Sequence, residues 1–160
     1  MQDSSVYNLL LSLEESLEIV AEFIHTIPEG DLNVKRRPDF WTIRHHVYHM
    51  ADVQKLLYDR LVRFKNEKNP AFTPYTPDTD GPKKPGYAGV EDALAAYQDL
   101  RRKQIDVIKS YEREDFLKEG THPEYKKYTP LILIRHILLH DYSHLYRIEE
   151  LWLTRDEYLS

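Results

Sequence analysis

Residues 129–153 read TPLILIRHILLHDYSHLYRIEELWL. Thr129 is a good N-cap, and Pro130 is tolerated at the first helical position because its missing N–H would have no partner there. Leu133, Ile137, Ile148 and Leu151 share one stripe of a helix. The pattern predicts a helix carrying Leu131 through about Leu153. His136, His140 and His144 interrupt it at four-residue steps. Imidazoles are costly on a face that should be packed. The stretch is therefore either a core face with awkward polar residues or a face built to hold something.

Working outward, three more segments carry the same periodicity. The first runs from about Ser5 to Ile27 through Leu9, Leu10, Leu13, Leu17, Val20, Phe23 and Ile24, and is stopped by Pro28 and Gly30. The second follows Trp41, with Thr42 as N-cap, and reaches Asn66 through Ile43, Val47, Met50, Val53, Leu57, Leu61 and Phe64. The third spans about Val90 to Tyr111 through Leu94, Tyr97, Leu100, Ile105 and Ile108. Residues 69–89 hold five prolines (Pro70, Pro74, Pro77, Pro82, Pro85) and cannot form a helix or a central strand. Pro70 to Pro85 reads as a plain connection, with a lid over the pocket as the alternative. Residues 113–130 form the other long connection. Four amphipathic helices predict one all-α domain over residues 1–160: a four-helix bundle with a long crossover between helices two and three.

Composition narrows the chemistry. The chain has 160 residues, 41% hydrophobic, which suits a single core. It has no cysteine, so disulfides, thiolate zinc sites and cysteine nucleophiles are excluded. The net charge of -5 argues against nucleic acid as a partner. Lys35, Arg36 and Arg37, and again Arg101, Arg102 and Lys103, read as short solvated basic groups. The N-terminal apolar run is broken by Glu14 and Glu15, short of a signal or membrane span. A soluble cytoplasmic protein without membrane contact is the expectation.

Six of the 8 histidines fall on two helices: His45, His46 and His49 on the second, and His136, His140 and His144 on the fourth. His140 and His144 stack on one helical face and can bind one ion together. His49 shares a stripe with Val53, Leu56 and Leu57 and also points inward. One inward histidine plus an inward pair makes three converging neutral imidazoles, the ligand set of an open metal site. Free imidazoles clustered in a core would each need a partner, and a metal supplies one to all three. His136 is one turn too far and reads as pocket-lining, His45 as the reserve ligand, and His25 and His122 as surface or loop residues. The Glu-x-x-His from Glu119 to His122 lies in a connection, so a carboxylate-bridged di-iron centre is disfavoured. Phosphate loops and serine elbows are absent.

Two motifs carry a family resemblance: WTIRHHVYHMAD, residues 41–52, and GTHPEYKKYTPLILIRHILLHDYSHLYRI, residues 120–148. They resemble the DinB/YfiT-like family of metal-dependent enzymes, with Trp41, His49 and Asp52 in the first, and Gly120, His122, Pro123, His136, His140, Asp141, His144 and Ile148 in the second. The resemblance covers nearly the whole chain. It implies a four-helix bundle with a His49, His140, His144 metal triad, and a dimer. It also implies thiol S-transferase or thiol-dependent isomerase chemistry on a small molecule. Ser143 stands where the family often has His, and Arg147 where it has Gln.

The leading expectation is a divalent-metal enzyme, with zinc or nickel ahead of manganese or iron, acting as a thiol S-transferase with a low-molecular-weight thiol. Asp52 and Asp141 are candidates to orient a ligand histidine or accept a proton, and Arg147 to meet an anionic substrate. Tyr48, Tyr142 and Tyr146 are candidates for the mouth. The alternatives are a metal-dependent hydrolase with the same site, or a non-catalytic bundle that forms a homodimer or binds a partner.

Overall fold

The computed structural model describes residues 4–75 and 86–160. Four long helices dominate: α1 (Ser4–His25), α2 (Ile43–Asn66), α3 (Val90–Lys109) and α5 (Pro130–Leu153). Between α3 and α5 lie a single turn, α4 (Arg113–Phe116), and a hairpin of β1 (Gly120–His122) with β2 (Tyr125–Tyr128). The two N-caps form as the sequence predicts. The Thr42 side chain accepts from the His45 amide, and that of Thr129 from the Ile132 amide. The sequence reading left residues 113–130 as a plain connection. The hairpin escapes it because its strands are too short to show a period.

Cross-helix contacts fix the topology. Along α2, Gln54 meets Arg101 and Lys65 meets the Ser110 carbonyl, so α2 and α3 run parallel. His49 meets His140 while Arg60 meets Tyr128, so α5 runs antiparallel to α2. Ser16 meets Arg101 and His25 meets Glu91, so α1 runs antiparallel to α3. The α2–α3 connection must then return along the length of the bundle, which makes it the expected crossover. Its first residues are anchored on the hairpin: the Phe72 amide donates to Thr121 O (2.8 Å), and the Thr121 amide to Pro70 O (2.9 Å). Residues 76–85, with Pro77, Pro82 and Pro85, lie outside the described residues, and so does most of the lid alternative.

Gly120 makes that anchoring possible. A Cβ there would sit 2.7 Å from the Phe72 ring and 2.8 Å from the Pro70 carbonyl oxygen.

Between two apolar clusters, one around Leu13, Leu61, Phe64 and Ile134, the other around Val20, Val47, Met50 and Leu94, lies a buried polar layer. Arg101 and Asp141, both fully buried, pair at 2.6 Å. Arg101 also donates to Ser16 Oγ (2.9 Å), Gln54 Oε1 (3.0 Å) and Gln104 Oε1 (3.0 Å). Asp141 also accepts from the Tyr97 hydroxyl (2.7 Å) and Gln54 Nε2 (3.3 Å). All four long helices contribute.

This corrects the reading of residues 101–103 as a solvated group. Arg101 falls on the Leu94, Tyr97, Ile105, Ile108 stripe, and its position on that face outweighs its charge. Arg36 is also tied down, donating to the Leu151 (2.5 Å) and Thr154 (2.7 Å) carbonyls and pairing with Asp156.

Two outcomes follow for stability. Arg101→Met leaves a buried carboxylate unpaired and is expected to cost about 3–5 kcal/mol in urea unfolding; an unchanged midpoint contradicts the layer's role. Gly120→Ala forces the Pro70–Phe72 segment off β1 and is expected to cost about 1–3 kcal/mol by the same measurement.

Candidate metal centre

The antiparallel packing of α2 on α5 matches their histidines rung by rung. His49 Nε2 lies 3.2 Å from His140 Nε2, and His46 Nδ1 lies 2.8 Å from His144 Nδ1. Candidate ligand atoms of His49, His140 and His144 all lie within 4.8 Å of one another. Two nitrogens bound tetrahedrally at about 2.05 Å would be separated by about 3.3 Å, close to the His49–His140 spacing. The donor set fits a divalent cation: three imidazoles on a partly buried floor, with no acid among them. Trp41 closes one side, its ring 5.2 Å from His46, 5.1 Å from His49 and 6.3 Å from His144.

Burial, the first cause at each group, disfavours the charged form of His46, His49 and His144. It lowers His46 to about 4, helped by Arg147, His49 and His45. It lowers His49 to about 4, helped by His140. His144 falls to about 2 through burial and its histidine neighbours. Neutral imidazole is the form that binds metal.

The polar layer sits directly behind the pair on α5. His140 Nδ1 is buried without a hydrogen-bond partner, and Asp141 Oδ1 stands 3.6 Å from it. Burial alone would push the Asp141 carboxyl up. The Arg101 guanidinium, with the nearby His140 ring and the hydrogen bond from Tyr97, outweighs this and holds it below the usual carboxylate range. An ionised carboxylate beside Nδ1 favours the tautomer with its proton there and the Nε2 lone pair turned toward His49. Asp141 itself touches no solvent.

The other expected site residues are dispersed. Asp52 is exposed, and its carboxylate acts on the Tyr87 phenol, which burial and this contact push up. Three residues of helix rotate Asp52 away from His49 by about 60°. Arg147 lies over the Phe40 ring (4.4 Å) and donates to Glu150 (2.9 Å) and the Ser160 carbonyl (3.0 Å). Tyr48 is not at a mouth: it is buried against Tyr87, on the face of α2 turned from the histidines. Tyr146 is 68% exposed and Tyr142 packs against the core. His45 lies outside the triad, with Nδ1 buried and unbonded. His25 is exposed at Glu91, as expected of a surface residue.

Two histidines escaped the sequence reading. His46 belongs to the site through His144, and its signal was a three-residue step to His49. His122, expected near the surface, is buried at 6%. With His136, Arg60, Tyr125 and Tyr128 it lines a cavity of about 400 Å³ that reaches His140. His136 thus lines the pocket.

Similarity to known proteins agrees with this geometry. Residues 12–148 match the DinB superfamily, and the chain belongs to that family. It is 26% identical over 112 residues to a Bacillus cereus (strain 03BB102) protein whose provisional name is metal-dependent hydrolase. A similarly named protein of Bacillus thuringiensis subsp. konkukian (strain 97-27) matches equally. Each match covers 70% of this chain, and the chain spans only 65% of the length of those relatives. Among solved structures it resembles YfiT from Bacillus subtilis, described as a probable metal-dependent hydrolase with an unusual four-helix bundle topology. The TM-score is 0.81 at 22% identity, covering 94% of this chain and 87% of that one. At that identity the likeness is one of fold.

The depressed histidines make a pH prediction for metal-free protein. Unfolded chains take up protons below about 6.5, whereas His46 and His49 in the fold resist them until about 4. The unfolded state then binds more protons, so stability falls as pH drops from about 6.5 to about 4. Chemical unfolding across that window should show the slope, and His46→Gln should flatten it. A slope unchanged by that substitution counts against the assignment.

Proposed function

We propose that this chain is a metal-dependent enzyme in which His49, His140 and His144 hold a divalent cation and a small molecule binds in the adjoining cavity. The observation that carries this reading is the meeting of three imidazoles from two helices at the end of a cavity of about 400 Å³. When bound, such an ion supplies a Lewis acid and lowers the pKa of a coordinated nucleophile.

The chain's own residues do the rest. Asp141 holds the proton on His140 Nδ1, and Arg101 keeps Asp141 ionised. His46 meets His144 Nδ1 and leaves its Nε2 for the ion. Trp41 keeps water from the His46 side. Arg147, held by Glu150, contributes positive charge at that edge and disfavours protonation of His46.

Two nucleophiles suit the site. Water makes the protein a hydrolase, the reading that the names of its relatives favour. A low-molecular-weight thiol makes it an S-transferase, as the sequence motifs imply. Both use the same triad and differ only in what attacks.

The metal test is direct. Protein purified without an affinity tag and reconstituted with zinc, nickel or manganese should hold about one ion per chain by elemental analysis. His140→Ala with His144→Ala should lose it. Removing the Asp141 contact by Asp141→Asn should weaken affinity about 10–100-fold. Substoichiometric metal in all three reconstitutions sinks the proposal. Assaying one electrophile panel with and without added thiol then separates the two nucleophiles.

A further inference from the structure

The cavity beside His140 contains a charge that the triad does not use. Arg60 sits on α2 three turns beyond His49, about 16 Å along the axis. It is 9% exposed. Its Nη1 donates to the Tyr128 hydroxyl (3.1 Å) and its Nη2 to the Thr73 carbonyl (2.7 Å). The guanidinium carbon lies 5.7 Å from the Phe72 ring centre and 5.9 Å from that of Tyr128. None of these partners carries negative charge, and among the described residues Arg60 forms no ion pair. Arg101, the other deeply buried arginine, has Asp141. A buried cation without a counter-charge is costly unless something supplies one. Guanidinium has five N–H donors, so the bonds to Tyr128 and Thr73 leave three without a partner among the described residues.

A second donor stands nearby. The Glu124 amide donates to His122 Nδ1 (3.2 Å), which puts the proton of the neutral ring on Nε2. Val53, Leu57, Tyr125 and Tyr128 give the cavity apolar and aromatic walls, and Glu124 and Ser143 add polar groups at its edge.

We propose that this cavity is the substrate site of the enzyme inferred above, and that Arg60 receives a carboxylate there. The substrate is then an apolar or aromatic monocarboxylate whose opposite end reaches His140. A carboxylate fits better than a phosphate dianion for two reasons. One guanidinium supplies one positive charge, and His122 and His136 stay neutral because burial lowers both. Glu124, on the same cavity, would repel a second negative charge. The reading extends the metal-enzyme proposal, yet the carboxylate site stands on Arg60 alone.

Calorimetric titration tests it, using phenylacetate and 4-phenylbutyrate against their amides and phenyl phosphate, on metal-loaded and metal-free protein. At least one carboxylate should bind about tenfold or more tightly than its amide, and phenyl phosphate should bind more weakly than that carboxylate. Arg60→Met should remove the preference with metal content unchanged, and Arg60→Lys should keep only part of it, because the fork is lost. Ring signals of His122 and His136 should shift in NMR spectra of the wild type on binding. That measurement decides the matter if Arg60→Met does not fold. Equal affinity for acid and amide, no binding at millimolar concentration, unmoved ring signals, or a preference that survives Arg60→Met overturns the proposal. Tighter phenyl phosphate binding overturns the carboxylate assignment. Metal content separates the two ideas. A protein that prefers the acid but binds no metal keeps the Arg60 site and loses the metal enzyme, and the converse result does the opposite.

Discussion

Arg101 and Asp141 meet at 2.6 Å in the centre of the bundle, with neither in contact with solvent. Two charges so placed are tolerated only if their remaining hydrogen-bonding capacity is met. Ser16, Gln54, Tyr97 and Gln104 meet it, which draws all four long helices to one level. Apolar contacts are non-directional and would allow helices to slide by a fraction of a turn. A layer of directional bonds does not. It fixes the vertical register of α2 against α5, and the facing of His49 with His140 and of His46 with His144 depends on that register.

The same layer joins structure to chemistry. Asp141 is the residue after His140, so its ion pair with Arg101 anchors the backbone that carries a candidate ligand. Its second oxygen stands beside His140 Nδ1. Stability and electrostatics are therefore set by one carboxylate. Below that layer, toward the hairpin, the groove between α2 and α5 widens into the cavity. Its far end is built by the hairpin and by the first residues of the crossover, packed together at Gly120. The long connection thus does more than return the chain: it brings Thr73 to Arg60 and the Tyr75 ring to within 5.8 Å of His49.

Much of this was legible. The four helices, their capping threonines and the crossover follow from periodicity and proline placement. The triad follows from four-residue spacing on one helix and an inward stripe on another. The misreadings share a cause: each residue was judged by its type and not by its helical phase. Arg101 was grouped with charged neighbours although it lies on the apolar stripe of α3. Tyr48 was placed at a mouth and is core.

By itself, the sequence determined the four long helices, the all-α class and the convergence of His49, His140 and His144, because those depend on intervals along one chain. Tertiary structure decided what meets what. The partnership of His46 with His144, the burial of His122 and the bonds of Arg60 to Thr73 and Tyr128 are relations between separate segments of the chain. The direction of α3 relative to α2 is another. No spacing rule encodes them, since the order in which helices pack is set by burying every apolar face at once.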